Sequence, residues 1–106
     1  MDKTAVVEIV DRLRQGIEAK GIKVQRVILY GSYATGTSQD GSDIDVVVIS
    51  NDFATIGYWE RIDILADVIY EIFAPVEAVA MTPEEWDRGD SFVVDFARNG
   101  EILYAA

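Results

Sequence analysis

Apolar positions in the first fifth of the chain recur at helical spacing. Val6, Val7, Ile9, Val10, Leu13 and Ile17 share one face over about residues 3–20, and Gly21 supplies a stop. The period then changes. Val24–Tyr30 reads as a strand, and Asp43–Ser50, with its valine run, reads as a second strand covered on both faces. Between them Gly31–Ser42 is rich in Gly, Ser and Thr and predicts a loop with room for one helical turn. After a connection over Asn51–Gly57, Tyr58–Phe73 predicts an amphipathic helix ended by Pro75. Its inner stripe is Ile62, Leu65, Ile69, Ile72 and Phe73, and its outer face carries Glu60, Asp63, Asp67 and Glu71. Val76–Met81 reads as a third strand, and Thr82-Pro83-Glu84-Glu85 as a capping box with proline at the first helical position. A last helix is expected over about residues 91–99, stopped by Asn99-Gly100, before an extended Glu101–Tyr104.

The strand–helix–strand unit over 43–81 predicts a right-handed crossover with parallel strands. The first two strands, joined without a long helix, are expected to be antiparallel. The fold class is therefore α/β of the α+β type, a small mixed β-sheet with helices packed on it. Residues 1–106 are expected to form one domain, with no internal repeat or linker.

Charge and missing residue types narrow the chemistry. The chain carries 19 acidic and 9 basic residues, a formal charge of −10, and its basic residues are scattered. Counterion-release binding to a long nucleic acid needs clustered Lys and Arg, so such a partner is not expected. Cysteine and histidine are absent, which removes thiol chemistry, most zinc sites and every imidazole-dependent triad. The available metal ligands are oxygens, suited to Mg²⁺, Mn²⁺ or Ca²⁺. Met1-Asp2-Lys3-Thr4 resembles no signal peptide, and no apolar stretch reaches membrane-span length, so a cytoplasmic protein is expected.

Ile28-Leu29-Tyr30-Gly31-Ser32-Tyr33-Ala34-Thr35-Gly36 and Ser42-Asp43-Ile44-Asp45 hold the densest candidate chemistry. On a strand Asp43 and Asp45 share one face, their Cα atoms roughly 6.5–7 Å apart, where like charges repel unless a cation lies between them. Taken alone they could be solvated acids at a strand mouth. Gly31, Ser32 and Gly36 could form an ordinary tight turn, or a turn whose amides and Ser32 hydroxyl meet phosphates. The segment holds no lysine and is not a Walker-type loop. Glu77 is the sole charge in its strand and reaches the Asp pair if that strand lies beside the second one; otherwise it is an edge acid facing water. Arg61, Arg88 and Arg98 read first as surface arginines and second as triphosphate partners. Tyr30, Tyr33 and Tyr58 read as packing residues or base-stacking ones, and Trp59 and Trp86 as packing anchors at helix starts.

Apolar strand, Gly31-Ser32, Gly36 and Ser42-Asp43-Ile44-Asp45 together resemble the signature of the DNA polymerase β-like nucleotidyltransferase superfamily, over about residues 24–81. Val76–Trp86 and Gly100-Glu101-Ile102-Leu103-Tyr104 resemble its small stand-alone members, the minimal nucleotidyltransferases, which commonly act as antitoxins to HEPN-family ribonuclease toxins. The resemblance implies that Asp43 and Asp45 bind two Mg²⁺ ions (Mn²⁺ as a substitute), that Ser32 contacts the triphosphate of ATP, and that Glu77 stands where the family has a third carboxylate, most often Asp. It implies adenylyl transfer to a hydroxyl of a partner protein, a HEPN-family toxin, in a hetero-oligomer. A second implied role is an antitoxin acting by direct contact, with Glu77 marking a weakened site.

Overall fold

In the computed structural model, which describes residues 1–89 and 91–106, four strands form one sheet. They are β1 (Arg26–Tyr30), β2 (Ile44–Ile49), β3 (Val76–Met81) and β4 (Glu101–Ala105), in spatial order β3-β2-β1-β4. β2 pairs antiparallel with β1 and parallel with β3, as the connection lengths predict. The extended C-terminal segment adds to β1 antiparallel, with a register shift between Val27 and Ile28. The helices are α1 (Lys3–Ala19), α2 (Ser32–Thr35), α3 (Tyr58–Ile72), α4 (Pro83–Arg88) and α5 (Phe92–Ala97), with a 3₁₀ turn over Asn51–Thr55.

Period-two alternation divides the core between the two sheet faces. Val46 and Val48 join Val27, Leu29 and Ile44 against α1 and α3. Val47 and Ile49 join Ile28 and Met81 beneath Trp86 of α4 and Val94 and Ala97 of α5. The valine run is thus buried on both sides, as its composition requires. Helix α1 starts on an Asp2 cap and buries Val6, Ile9, Val10, Leu13 and Ile17. It approaches α3 so closely at Gly16 that a Cβ there would lie 2.5 Å from Val68. The Thr82–Glu85 capping box is formed in both directions and starts α4.

Several expected positions differ, each for a local reason. The first strand starts at Arg26, although Val24 is fully buried and Gln25 N–H still donates to Ile49 O. The second strand starts at Ile44, leaving Asp43 just outside the ladder. Val7 is 41% exposed because the buried stripe of α1 runs through its neighbours Val6 and Val10. Of the inner stripe expected on α3, Leu65 is buried, Ile62 is exposed and Phe73 is 91% exposed, while Val68, facing Gly16, takes an inner place. Phe73 leaves the helical phase altogether, since it caps α3 at φ 52. Trp59 is 75% exposed and stacks edge-on with Tyr58 rather than anchoring the core, whereas Trp86 is buried. The last helix spans only 92–97, and Gly100 beyond it sits flush against Leu29 O, where a Cβ would collide.

Candidate active site

At one end of the sheet, strand register builds a row. Tyr30 of β1 is the Cα partner of Asp45, and Asp45 is the Cα partner of Glu77 of β3. Alternation puts all three on the face of Ile28, Val47 and Val79, beyond the point where α5 covers it. Adjacent strands lie about 4.8 Å apart, so these polar groups stand shoulder to shoulder at the margin of a dry core. Asp43 follows one residue outside the ladder and is exposed, whereas Asp45 is half-buried.

The electrostatics of the row are those of crowded acids. Burial pushes the Asp45 carboxyl above the ordinary carboxylate value, and the charges of Glu77 and Asp43 push it further. A side-chain interaction with Glu77, its neighbour in register, raises the Asp45 carboxyl as well. The Tyr30 phenol is likewise raised, by burial first and then by Asp45 and Glu77. A hard divalent cation suits this all-oxygen donor set and would relieve its repulsion. As the side chains stand, no group of three carboxylates among the described residues is already closed around an ion position.

The turn after β1 brings backbone against the row. Gly31 has φ 76, and a Cβ on it would collide with the Asp45 carboxylate and lie 3.2 Å from its Cγ. Glycine is therefore required twice here, for the backbone angle and for the close approach. Gly31 starts the one-turn helix α2 without any side-chain cap, and its carbonyl accepts from the N–H groups of Ala34 and Thr35, both at 3.1 Å. Ser32 opens that turn, half-buried, next to the row. Gly36 ends it in the left-handed conformation at φ 80, with open space around it, and makes no close approach to the carboxylates.

The arginines are distributed differently. Arg61 is a structural cross-brace: it donates to Ile56 O at 2.9 Å, Phe53 O at 2.6 Å and Glu85 at 2.7 Å. It is only 15% exposed, neither a surface residue nor part of the carboxylate row. Arg98 caps α5 and reaches toward Gly89. Tyr30 is the row member that sequence reasoning ranked low; its signal was its position immediately before Gly31 at the strand end. Tyr58 is exposed on α3, away from the row.

Known proteins share the fold of this chain. Relatives include a provisionally named protein adenylyltransferase of Methanocaldococcus jannaschii, 24% identical over 97% of this chain and 98% of its own length. A provisionally named nucleotidyltransferase of Sulfolobus solfataricus superposes with a TM-score of 0.73 at 16% identity, covering 96% of this chain and 82% of that one. A chain of a toxin–antitoxin complex with AMP-PNP superposes with a TM-score of 0.61 at 27% identity, over 92% of this chain and 71% of that one. A chain of the complex between a tri-AMPylated Shewanella oneidensis HEPN toxin and its MNT antitoxin gives a TM-score of 0.57 at 23% identity, covering 100% of this chain and 74% of that one. The model of the nucleotidyltransferase domain matches residues 10–102, and the chain belongs to that family.

Proposed function

We propose that this chain transfers the adenylyl group of ATP to a hydroxyl of a partner protein, and that the partner is a HEPN-type toxin. The observation that carries this reading is the Tyr30–Asp45–Glu77 row lying against the Gly31–Ser32 turn in a chain of the nucleotidyltransferase family. The AMP-PNP complex and the AMPylated-toxin complex among its structural neighbours support the nucleotide and the partner class.

Asp43, Asp45 and Glu77 are the residues that would hold Mg²⁺, which when bound supplies charge neutralisation at the phosphates and at the acceptor oxygen. The chain's own groups do the rest. Ser32 and the leading amides of α2 orient the triphosphate. The acceptor oxygen forms a bond to the α-phosphorus as the bond to the departing pyrophosphate breaks. The hydroxyl proton leaves toward a carboxylate of the row. Positioning and electrostatics account for most of the rate.

The glutamate at position 77, where the resemblance leads one to expect aspartate, favours a second reading, an antitoxin that neutralises by contact alone. Mass spectrometry separates the two. With Mg²⁺, ATP and a co-purified or gene-adjacent partner, adenylyl mass on partner tyrosines that is lost with Asp43→Asn marks the enzyme. A stable complex without any mass gain marks the contact antitoxin.

A further inference from the structure

β3 is an edge of the sheet and its outer side is open. Ile44 N–H donates to Pro75 O at 2.8 Å and Ser50 N–H to Met81 O at 3.0 Å, so odd-numbered residues of β3 turn their backbone groups toward β2. Val76, Ala78 and Ala80 therefore turn theirs outward. Val76 N–H is taken by Ala74 O, and Ala80 O is met at 3.5 Å by Arg61. Among the described residues no partner meets Val76 C=O, Ala78 N–H, Ala78 C=O or Ala80 N–H.

Edges normally carry protection such as a lysine, a proline or a bulge. The six residues of β3 carry no lysine, proline or bulge; Pro75 stands just before them, their one charge, Glu77, belongs to the row, and the bulge of this sheet lies on the opposite side, between β1 and β4. A groove of about 400 Å³ runs beside the edge, walled by Ile62 and Ile69 of α3 and Val93 of α5 with Ala78 between them.

We propose that the open edge of β3 docks an extended segment of a basic protein partner, which adds as a fifth strand and carries the acceptor hydroxyl onto the carboxylate row. The inference rests on the transferase reading above and names how its protein substrate is held. Strand addition gives affinity through main-chain hydrogen bonds and specificity through alternate side chains. A residue placed opposite Glu77 presents its side chain on the same face as Asp45 and Glu77, one strand spacing (about 4.8 Å) from the row. The row thus gains a fourth place, and a Tyr, Ser or Thr in that place offers its hydroxyl to the α-phosphorus. Charge selects the occupant. The chain bears −10, and exposed Glu60, Asp63, Asp67 and Glu71 stud the neighbouring α3. A second copy would set −10 against −10, whereas a basic segment is attracted.

The test uses the full chain and the synthetic peptide acetyl-Lys-Val-Lys-Tyr-Lys-Val-Lys-amide, with two forms N-methylated at alternate residues. Amide hydrogen exchange without nucleotide is expected to slow at Ala78 and Ala80 when the peptide is added. One N-methylated form, blocked on the side facing β3, should bind at least about tenfold more weakly, and the other should bind as the parent does. Ala78→Pro removes an outward N–H and leaves the ladder to β2 intact, so it should weaken the peptide while Mg²⁺–ATP binding persists. Unchanged exchange at both alanines, equal binding of the two methylated forms, or protection that rises with protein concentration alone would each overturn the docking. Adenylyl mass on the peptide tyrosine is read separately with Mg²⁺ and ATP. Transfer to a partner without protection of β3 overturns this inference and leaves the transferase reading standing. Protection without transfer to any hydroxyl keeps the docked strand but overturns both its role as acceptor and the transferase reading.

Discussion

Asp45 and Glu77 are Cα partners across the parallel β2–β3 pair, and the Glu77 charge adds to burial in raising the Asp45 carboxyl above its ordinary value. Two acids held by register in this way repel each other whenever both are ionised, so the unliganded fold carries an electrostatic burden at the place where its chemistry is expected. Asp45→Asn removes that burden. It should raise the melting temperature of the metal-free chain by about 2–5 °C while reducing adenylyl transfer by roughly a thousandfold. Differential scanning calorimetry and mass spectrometry of the partner read the two effects. Mg²⁺ should stabilise the wild-type chain more than the variant.

Gly31→Ala tests the turn. The substitution meets both a left-handed backbone and the Asp45 carboxylate, so it should cost about 1–3 kcal/mol in urea denaturation. Transfer should fall further than the loss of folded protein accounts for. Gly36→Ala, strained at φ 80 but in open space, should cost less and leave nucleotide binding largely intact.

Arg61 and Glu85 predict the acid limb of stability. Burial alone would raise the Glu85 carboxyl, but the Thr82 N–H and the Arg61 guanidinium outweigh it and hold the group below its ordinary value of 4.5. A depressed carboxylate stabilises the fold above its unfolded value and loses that contribution as pH falls through the folded one. Wild-type stability should therefore decline on acidification below about pH 4.5, and Glu85→Gln should be less stable at pH 7 with a shallower decline. Thermal melts between pH 3 and 7 check the sign.

Phe73→Gly should stabilise the isolated chain. Phe73 holds φ 52 at the end of α3 while 91% exposed, so it carries left-handed strain and buries little in return. Glycine should add about 0.5–1 kcal/mol in chemical denaturation.

The row was legible because two rules compound. Alternation along an apolar strand gives Asp45 its face, and a strand–helix–strand connection makes β3 the parallel neighbour that brings Glu77 alongside. The capping box at Thr82–Glu85 was equally legible, being local. Hydropathy could not rank Val68 above Ile62 or Phe73, because the inner face of α3 depends on where α1 comes closest, and Gly16 sets that contact from a distant part of the chain. Trp59 reads as an anchor by size alone, yet it stands exposed on α3. Arg61 shows the converse. Its role as a brace depends on carbonyls of Phe53 and Ile56 and on Glu85, which meet only in the folded chain.

The split core of β2 has a consequence for how the acids come into being. A slip of one residue in its register would turn Asp45 inward beneath α1 and α3 and expose Val46 in its place, so a misregistered sheet loses core and row together. Asp45 and Glu77 are therefore in position as soon as the chain has folded, before any ligand arrives. Asp43, one residue outside the ladder, is the member of the three that keeps freedom to adjust. The backbone that can adjust on binding is thus the short approach to Asp43 from Ser42.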